Sequence, residues 1–160
     1  IVFDGNDDDY FRFAGRMIGK AIFDGRVVPF QVPSYLMKVL SGHHVVLSDL
    51  KEVDEELFRS IEHLDNKVHL ESFGINFTLR ESVPFEAGLQ TTELVPFGAM
   101  IQVTHENLNE YKISVVKYLL FDRVRRQLHQ LLHGVNELVP KALLSVFDPA
   151  ELKALLCGCS

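Results

Sequence analysis

Residues 10–26 constrain the fold of this chain most, because three side-chain patterns repeat along them at helical spacing. The first pattern is an apolar stripe made of Phe11, Ala14, Ile18 and Ile22. The second is a cationic ridge made of Arg12, Arg16 and Lys20. Together they predict one amphipathic helix that buries one face in a core and carries positive charge on another.

The third pattern in this helix is a pair of glycines, Gly15 and Gly19, placed four residues apart. They leave a strip without side chains, which a second backbone can approach closely. The helix is predicted to be capped by Asp7, Asp8 and Asp9 and to end at Gly25. We therefore expect the helix to serve in packing and in orienting the helical body.

Length and composition limit the classes of protein to which the chain can belong. With 160 residues it is long enough for one domain, or for one domain and a small subdomain. No apolar stretch approaches the ~20 residues of a membrane span, so no membrane partner is expected. The chain lacks an initiator methionine, and we expect an excised fragment. The cysteines Cys157 and Cys159 form no disulfide framework, which favours an intracellular setting in the cytoplasm or nucleus.

The negative charge is concentrated in one window. The chain has a net charge of −6, and residues 49–71 hold eight acidic and three basic side chains. This window makes nucleic acid an unlikely ligand on electrostatic grounds and is suited to a basic protein surface. An ordinary solvated face would have the same composition, and the pattern does not decide between the two.

The order of the predicted elements indicates an α+β fold, a mostly helical body with a small inset that contains a short antiparallel sheet. Helices are predicted over residues 34–42, 54–64, 104–133 and 149–157, with Gly134 ending the third. Phe73, Ile75, Phe77 and Leu79 alternate with small or polar residues, which predicts a half-buried strand. Residues 81–92 are predicted to be a loop, and residues 93–95 and 100–103 to be short strands.

Several chemical sites are excluded by spacing. The segment from Gly15 to Ala21 is one residue short of a phosphate-binding loop and lies inside a helix. His129 and His133 are four residues apart but have no third metal ligand at a recognisable spacing, so no metal is predicted. Cys157 lies at a helix C-terminus, where the helix dipole disfavours a thiolate. No catalytic residue and no cofactor are predicted.

Five segments resemble, in order, signature motifs of HECT-type ubiquitin ligases. Residues 11–26 resemble F-x-F-x-G-R-x-x-G-K-A-I-x-D-G-R, and residues 49–54 resemble D-L-x-x-V-D. Residues 103–111 resemble V-T-x-x-N-x-x-E-Y, and residues 134–140 resemble G-F-x-E-L-I-P. Residues 147–158 are similar to F-x-x-x-E-L followed by L-L-x-G. The resemblance covers nearly the whole chain.

The resemblance implies the latter part of the N-terminal lobe of a HECT domain. The catalytic C-terminal lobe of the family carries the cysteine that accepts ubiquitin, and no T-H-T-C-F-N segment is found in this chain. The helical body is expected at residues 1–47 and 111–160, and the inset at residues 48–110. In the family the inset docks a ubiquitin-conjugating enzyme, which carries ubiquitin. Protein substrates are expected to bind elsewhere, and the fragment alone is expected to be inactive.

Matched by position, the docking groove would be lined by six residues: Leu57, Ile61, Leu64, Phe73, Ile75 and Tyr111. For Leu57 and Ile61 a place in the core of the inset is an equal alternative, since helical periodicity does not say which face is exposed. Phe77 and Leu79 are predicted to be core residues. Residues 65–72 lack an aromatic side chain that many members have, so the groove is expected to be shallow or altered in specificity.

Three further expectations concern ubiquitin, other partners and self-association. The second ubiquitin site that some members have is not predicted, because Leu131 stands where they use phenylalanine. The chain could instead be a helical protein-interaction scaffold without a ubiquitin role, in which its apolar face binds another partner. An incomplete lobe should expose apolar faces, so self-association is also expected.

Overall fold

A computed structural model describes residues 7–82 and 89–158. The chain divides into two compact units. We call Val46–Arg123 the central unit, and the described residues 7–45 and 124–158 the terminal unit. Each unit has its own buried apolar residues, so each is described separately.

The described residues form helices and one two-stranded sheet. The α-helices are α1 (Asp7–Asp24), α2 (Ser34–Ser41), α3 (Glu55–Glu62), α4 (Leu108–Lys117), α5 (Arg125–Asn136), α6 (Lys141–Leu144) and α7 (Pro149–Cys157). The strands are β1 (Thr78–Ser82) and β2 (Leu89–Glu93). Short 3₁₀ turns span Leu47–Glu52, His63–Asn66, Leu70–Phe73 and Gly98–Met100, and Tyr118–Asp122 form a π-helical turn. The predicted mostly helical α+β class is confirmed.

In the terminal unit, α1 packs closely against α5. A Cβ atom added to Gly15 would overlap the carbonyl oxygen of Leu131, and one added to Gly134 would overlap that of Arg12. The two helices therefore approach each other at positions where only glycine fits. The close approach predicted for Gly15 is confirmed, whereas Gly134 lies within α5 and does not end a helix at His133 as predicted.

The core of the terminal unit lies beneath this contact. It contains Ile18 and Ile22 of the predicted stripe together with residues of the other helices, among them Leu36, Met37, Leu40, Val135, Leu144, Leu152 and Leu156. Burial of such side chains is the main favourable term in folding, at about 25 cal/mol per Å² of apolar surface. The predicted stripe is therefore a packing surface.

The cationic ridge of α1 is fixed by ion pairs. Arg12 Nε donates to Glu137 Oε1 at 2.6 Å, and Arg16 Nε donates to Glu137 Oε2 at 2.5 Å. Lys20 Nζ pairs with Asp24 one turn further along. The two guanidinium groups lower the pKa of Glu137 from 4.5 to about 2, with Arg16 the larger contributor. Arg12 and Arg16 therefore join α1 to Glu137, the residue that follows α5.

Helix ends follow the capping residues of the sequence. Asp54 Oδ1 accepts a hydrogen bond from the backbone of Leu57 at 2.9 Å, and α3 begins at the next residue after Asp54. Asp148 and Glu151 form a reciprocal capping box at the start of α7. Gly42 ends α2 in the left-handed conformation, with φ of 78°. The two predicted helix starts and the predicted end of α2 are therefore confirmed. Each depends on hydrogen bonds between residues close in sequence.

The predicted strand over residues 72–79 is wrong in its first half. Leu70–Phe73 form a 3₁₀ turn, and Gly74 then adopts a φ of 61°, which an extended strand does not allow. Regular pairing starts at Thr78, where β1 pairs antiparallel with β2 in the register Thr78 to Glu93. Phe77 and Leu79 are buried, as predicted.

The predicted loop over residues 81–92 is also wrong at both ends. Glu81 pairs with Gln90, and Leu79 with Thr92, so β1 and β2 extend into the predicted loop. Pro84 and Gly88, which motivated the prediction, lie outside the described residues. The short strands predicted over residues 93–95 and 100–103 are replaced by the end of β2 and by a single bridge between Asn76 and Gln102.

The single long helix predicted over residues 104–133 is interrupted. Thr104 does not cap it: the backbone of Thr104 donates to Asn107 Oδ1 at 2.8 Å, and α4 begins at Leu108. The π-helical turn at Tyr118–Asp122 then separates α4 from α5. The backbone N–H of Arg123 bonds Tyr118 O at 2.9 Å, a five-residue spacing that inserts one extra residue.

No helix among residues 7–82 and 89–158 combines the length and the hydropathy needed to cross a bilayer.

The central unit, which ends at Arg123, is defined by packing, whereas the inset predicted at residues 48–110 is defined by its expected function. The latter therefore stays a prediction.

Candidate functional site

The central unit contains all six residues of the predicted groove. Two of them, Ile61 and Tyr111, are buried, with 2% and 5% of their surface exposed. Leu57, Leu64 and Ile75 are half-buried, and Phe73 is 56% exposed. Four of the six therefore reach the surface, and the other two belong to the apolar interior of the unit.

Leu57 lines a cleft of about 380 Å³ between α3 and β1. The same cleft is lined by Asp54 and Glu56 of the α3 N-terminal region and by Arg80 and Glu81 of β1. Carboxylates thus outnumber cations around an apolar floor. The other five predicted residues are not among the described lining of this cleft, so the structure does not gather the six into one concavity.

Phe73 ends a 3₁₀ turn, and hydrogen bonds join this turn and the residues after it to Gln102 and Val103. Gln102 Nε2 donates to Glu71 O at 2.6 Å, and the backbone of Val103 donates to Ile75 O at 2.7 Å. The Lys67 ammonium stands 5.3 Å from the centre of the Phe73 ring, within cation–π range. These contacts hold a large aromatic side chain at the surface of an acidic unit.

Tyr111 belongs to the interior because its ring packs on Phe77. The two ring centroids are 5.5 Å apart and the ring planes meet at 81°, an edge-to-face arrangement. Burial raises the pKa of the Tyr111 hydroxyl. The contact links α4 to the segment that carries Ile75 and Phe77.

Some of the acidic side chains in residues 49–71 form hydrogen bonds or ion pairs within the central unit. Asp49 Oδ2 accepts from the backbone of Val46 at 2.8 Å, and Asp54 caps α3. Glu55 pairs with Arg59 at 2.7 Å, and Asp65 pairs with Lys112. Such pairs reduce the field that a partner meets, but the side chains of Glu56, Glu62 and Glu71 remain exposed. The local excess of negative charge persists.

Phe97 is an aromatic residue that the sequence prediction did not select. It is 74% exposed and adopts φ of 59° and ψ of 26°, the left-handed region that phenylalanine rarely enters. The neighbouring Met100 is 87% exposed. The sequence signal was the turn Pro96-Phe97-Gly98, in which a large apolar residue stands where polar turn residues are usual.

Glu81 anchors the β-hairpin to the π-helical turn. Its Oε2 accepts from the Tyr118 hydroxyl at 2.8 Å, and its Oε1 accepts from Arg123 Nη1 at 2.5 Å. The pKa of Tyr118 is raised mainly by burial, with the Thr92 hydrogen bond acting in the opposite direction. The extra residue of the π turn thus places two donors on one carboxylate.

Metal and thiol chemistry have little support in the described residues. Within residues 7–82 and 89–158, no three His, Cys, Asp or Glu side chains come together as a metal site would require. His133 Nδ1 lies 3.0 Å from Glu137 Oε1, and that carboxylate is already shared by two arginines. Cys157 is half-buried with Sγ 3.9 Å from Phe30 O, and Cys159 lies outside the described residues.

Comparison with known proteins identifies similar sequences over the whole chain. A family profile described as HECT-domain (ubiquitin-transferase) matches residues 2–160. The E3 ubiquitin-protein ligase RSP5 of Chaetomium thermophilum is 37% identical over 152 residues, which cover 94% of this chain and 18% of that protein. The E3 ubiquitin-protein ligase UPL2 of Arabidopsis thaliana is 31% identical over 154 residues, 93% of this chain and 4% of that protein.

The E3 ubiquitin-protein ligase HUWE1 of Mus musculus is likewise 31% identical over 154 residues, 96% of this chain and 4% of that protein. The chain therefore spans less than a fifth of the length of these relatives.

Proposed function

Because the chain belongs to the HECT family of ubiquitin-transferase domains, we propose that it is part of a ubiquitin-protein ligase whose central unit docks a ubiquitin-conjugating enzyme. The docked enzyme brings ubiquitin as a thioester, which passes to a cysteine in the C-terminal lobe of such a domain and then to substrate lysines. The contribution of this chain is proximity, since docking converts an encounter in solution into a positioned transfer.

The observation that carries the docking proposal is Phe73. An aromatic ring that is 56% exposed, on a turn that accepts a hydrogen bond from Gln102, is a typical anchor for a partner, because it buries a large area at little entropic cost. The half-buried Leu64 and Ile75 provide apolar surface on the same unit. In this proposal Ile61 and Tyr111 support the surface from beneath.

The acidic side chains have a separate role. Glu56, Glu62 and Glu71 are exposed on the central unit and attract a basic partner over about 8–10 Å at physiological salt. Such steering raises the association rate more than the final affinity. The cleft that contains Leu57 would then receive an aliphatic side chain with a cationic end, which suits its apolar floor and acidic rim.

The test is titration of the isotope-labelled chain with a panel of ubiquitin-conjugating enzymes, followed by amide chemical shifts. We expect saturable perturbation around Phe73 and a loss of affinity of about tenfold or more for Phe73→Ala. Leu57→Asp should also weaken binding, because it adds a charge to the floor of the cleft.

Phe23→Ala is the matched control. Phe23 of the terminal unit is 74% exposed and has Lys20 Nζ 6.0 Å from its ring centre, so its environment resembles that of Phe73. Affinity should be unchanged in this variant. If the chain is folded and no enzyme of the panel perturbs the central unit, the docking proposal fails. Binding of some other protein that survives both Phe73→Ala and Leu57→Asp would favour a helical interaction scaffold without a ubiquitin role.

A further inference from the structure

A cleft in the terminal unit, with several polar side chains in its lining, takes no part in the proposed docking. It has a volume of about 620 Å³ and lies between α2 and the first turn of α7. Its polar lining consists of Ser34, Lys38, His43, His44, Asp148 and Lys153. Among these lining residues Lys38, Lys153 and Asp148 carry charge and the two histidines add ring nitrogens, in a chain whose net charge is −6. We call this the lysine cleft.

The cations of the lysine cleft are held by the fold. Lys153 Nζ donates to Ser34 Oγ at 2.5 Å and so connects α7 to the start of α2. Lys38 follows Ser34 by one helical turn on α2, and both lysines are half-buried. His43 Nδ1 lies 2.9 Å from Ser41 Oγ, which orients its ring. Because partial burial reduces screening, the charges of Lys38 and Lys153 act more strongly than those of exposed lysines do.

The carboxylate of the lysine cleft is turned toward its own helix. Asp148 Oδ1 accepts from the backbone of Ala150 at 2.9 Å, and Glu151 Oε2 accepts from the backbone of Asp148 at 3.1 Å. The first turn of α7 is thus capped internally and does not present free N–H groups to a ligand. Asp148 adds one negative charge to the wall of the cleft, and this charge weakens the binding of an anion. Its Oδ1 is bonded to the backbone of Ala150.

We propose that the lysine cleft binds a phosphate group. Lysine ammonium groups bind phosphate as compact point charges with several donors, and the Ser34 hydroxyl and the histidine rings add hydrogen-bonding groups. The cleft is far larger than one phosphate, which leaves room for the residue that bears it. The source is either a phosphorylated side chain of another polypeptide segment or free phosphate, and both share this chemistry.

The experiment uses the full chain at pH 7 and three probes: inorganic phosphate, a short glycine-flanked phosphoserine peptide and its unphosphorylated counterpart. Binding is measured by calorimetry and by amide chemical shifts of α2 and the first turn of α7. We expect saturable binding of the phosphorylated probes and none of the unphosphorylated peptide. Tighter binding of the phosphopeptide than of phosphate assigns the source to a phosphorylated segment, and equal binding assigns it to free phosphate.

Charge-matched variants test the assignment to this cleft. Lys38→Gln and Lys153→Gln should each weaken binding about tenfold, the usual loss of one charged hydrogen bond. Lys141→Gln removes the same charge from an exposed position outside the lining of the cleft and should have no effect. Asp148→Asn keeps a capping side chain but removes the opposing charge, so binding should become several-fold tighter.

Equal weakening in all three lysine variants, weaker binding in Asp148→Asn, or the absence of saturable phosphate binding would each overturn the proposal. Because Lys153 connects two helices, its glutamine variant could lose structure, which circular dichroism would reveal. In that case Lys38→Gln and Asp148→Asn decide, since neither removes that connection. These outcomes are independent of whether a ubiquitin-conjugating enzyme docks on the central unit.

Discussion

The ring of Phe77 meets the ring of Tyr111 edge to face, with the centroids 5.5 Å apart. The backbone N–H of Phe77 also donates a shared hydrogen bond to Gly98 O and Ile101 O, each 3.1 Å from the Phe77 nitrogen. The aromatic pair therefore connects α4 to the hydrogen-bonded segments that carry Phe73 and Phe97. A family motif that ends in Tyr111 marks an internal support of the central unit.

Tyr111→Ala should unfold or loosen the central unit, while Phe73→Ala should not. Removing the buried Tyr111 ring leaves a cavity and should cost about 3–5 kcal/mol of unfolding free energy. Truncation of the exposed Phe73 ring should change stability by less than about 0.5 kcal/mol. The chain has no tryptophan, so urea unfolding is followed by circular dichroism at 222 nm.

The two variants also distinguish a residue that contacts the partner from a residue that supports the contact surface from within. Both should weaken binding of a conjugating enzyme, but only Tyr111→Ala should lose protected amides in the absence of the partner. Equal stability of the two variants would contradict the placement of Tyr111 in the interior.

Phe97→Gly should raise the stability of the chain. The left-handed backbone at Phe97 costs phenylalanine about 1 kcal/mol relative to glycine. Phe97→Ala is the control, because it removes the same ring and keeps the Cβ that causes the strain. The thermal midpoint of the glycine variant should exceed that of the alanine variant, and identical midpoints would show that no strain is stored there.

Gly15→Ala should destabilise the terminal unit, although alanine is favoured over glycine by about 1 kcal/mol in a helix interior. The added methyl group would overlap the backbone of α5 at Leu131, which cannot move aside as a side chain can. Gly19→Ala is the graded comparison, because its Cβ would stand 3.0 Å from Val135 O, which is a tight contact without the overlap found at Gly15. Urea midpoints should fall clearly for Gly15→Ala and little for Gly19→Ala, and the reverse order would refute the packing described for these helices.

Acid should remove the stabilisation that Glu137 provides. Its pKa is lowered from 4.5 to about 2 in the folded chain, so its ion pairs contribute fully above pH about 4.5 and are lost as the pH falls toward about 2. Glu137→Gln should therefore lower the thermal midpoint at neutral pH by a few degrees, an effect that salt reduces. The difference between the variant and the parent chain should disappear near pH 2, and a difference that grows on acidification would be inconsistent with this pairing.

The chain alone should form no thioester with ubiquitin. Cys157 lies at the C-terminal end of α7, and its side chain is half-buried with Sγ 3.9 Å from Phe30 O, so it is poorly placed to attack a thioester. After incubation with a ubiquitin-loaded conjugating enzyme, a non-reducing gel should show no adduct that reductant removes. Cys157→Ser and Cys159→Ser serve to assign any such adduct, whose appearance would contradict this prediction.

Local signals predicted the helices with defined caps and missed the elements that depend on distant partners. Asp54 and Asp148 mark helix starts because their carboxylates bond amides two or three residues away. The hairpin was missed because Glu81 and Gln90 are stabilised by pairing across the chain, which no local pattern records. Apolar residues alternate from Phe73 to Leu79, and this pattern predicted one strand. The alternation in fact runs through a 3₁₀ turn and Gly74 before β1 begins.

The candidate site was predicted only in part for a related reason. The helical periodicity of Leu57, Ile61 and Leu64 is genuine, but burial depends on what covers each face. Ile61 is enclosed whereas Leu57 reaches a cleft, and the sequence pattern cannot distinguish them. The π-helical turn is equally hidden, because its residues continue the apolar pattern of a longer helix.

The facing glycines of α1 and α5 affect how a mutational scan of this chain would be interpreted. Almost any replacement at Gly15 or Gly134 would separate the two helices, so both positions would rank among the most sensitive in a screen for function. Neither has a side chain that a partner or a reacting group could recognise. A screen that records activity without protein abundance would therefore attribute the effect of these substitutions to catalysis. The effect would in fact come from the short distance between the backbones of α1 and α5.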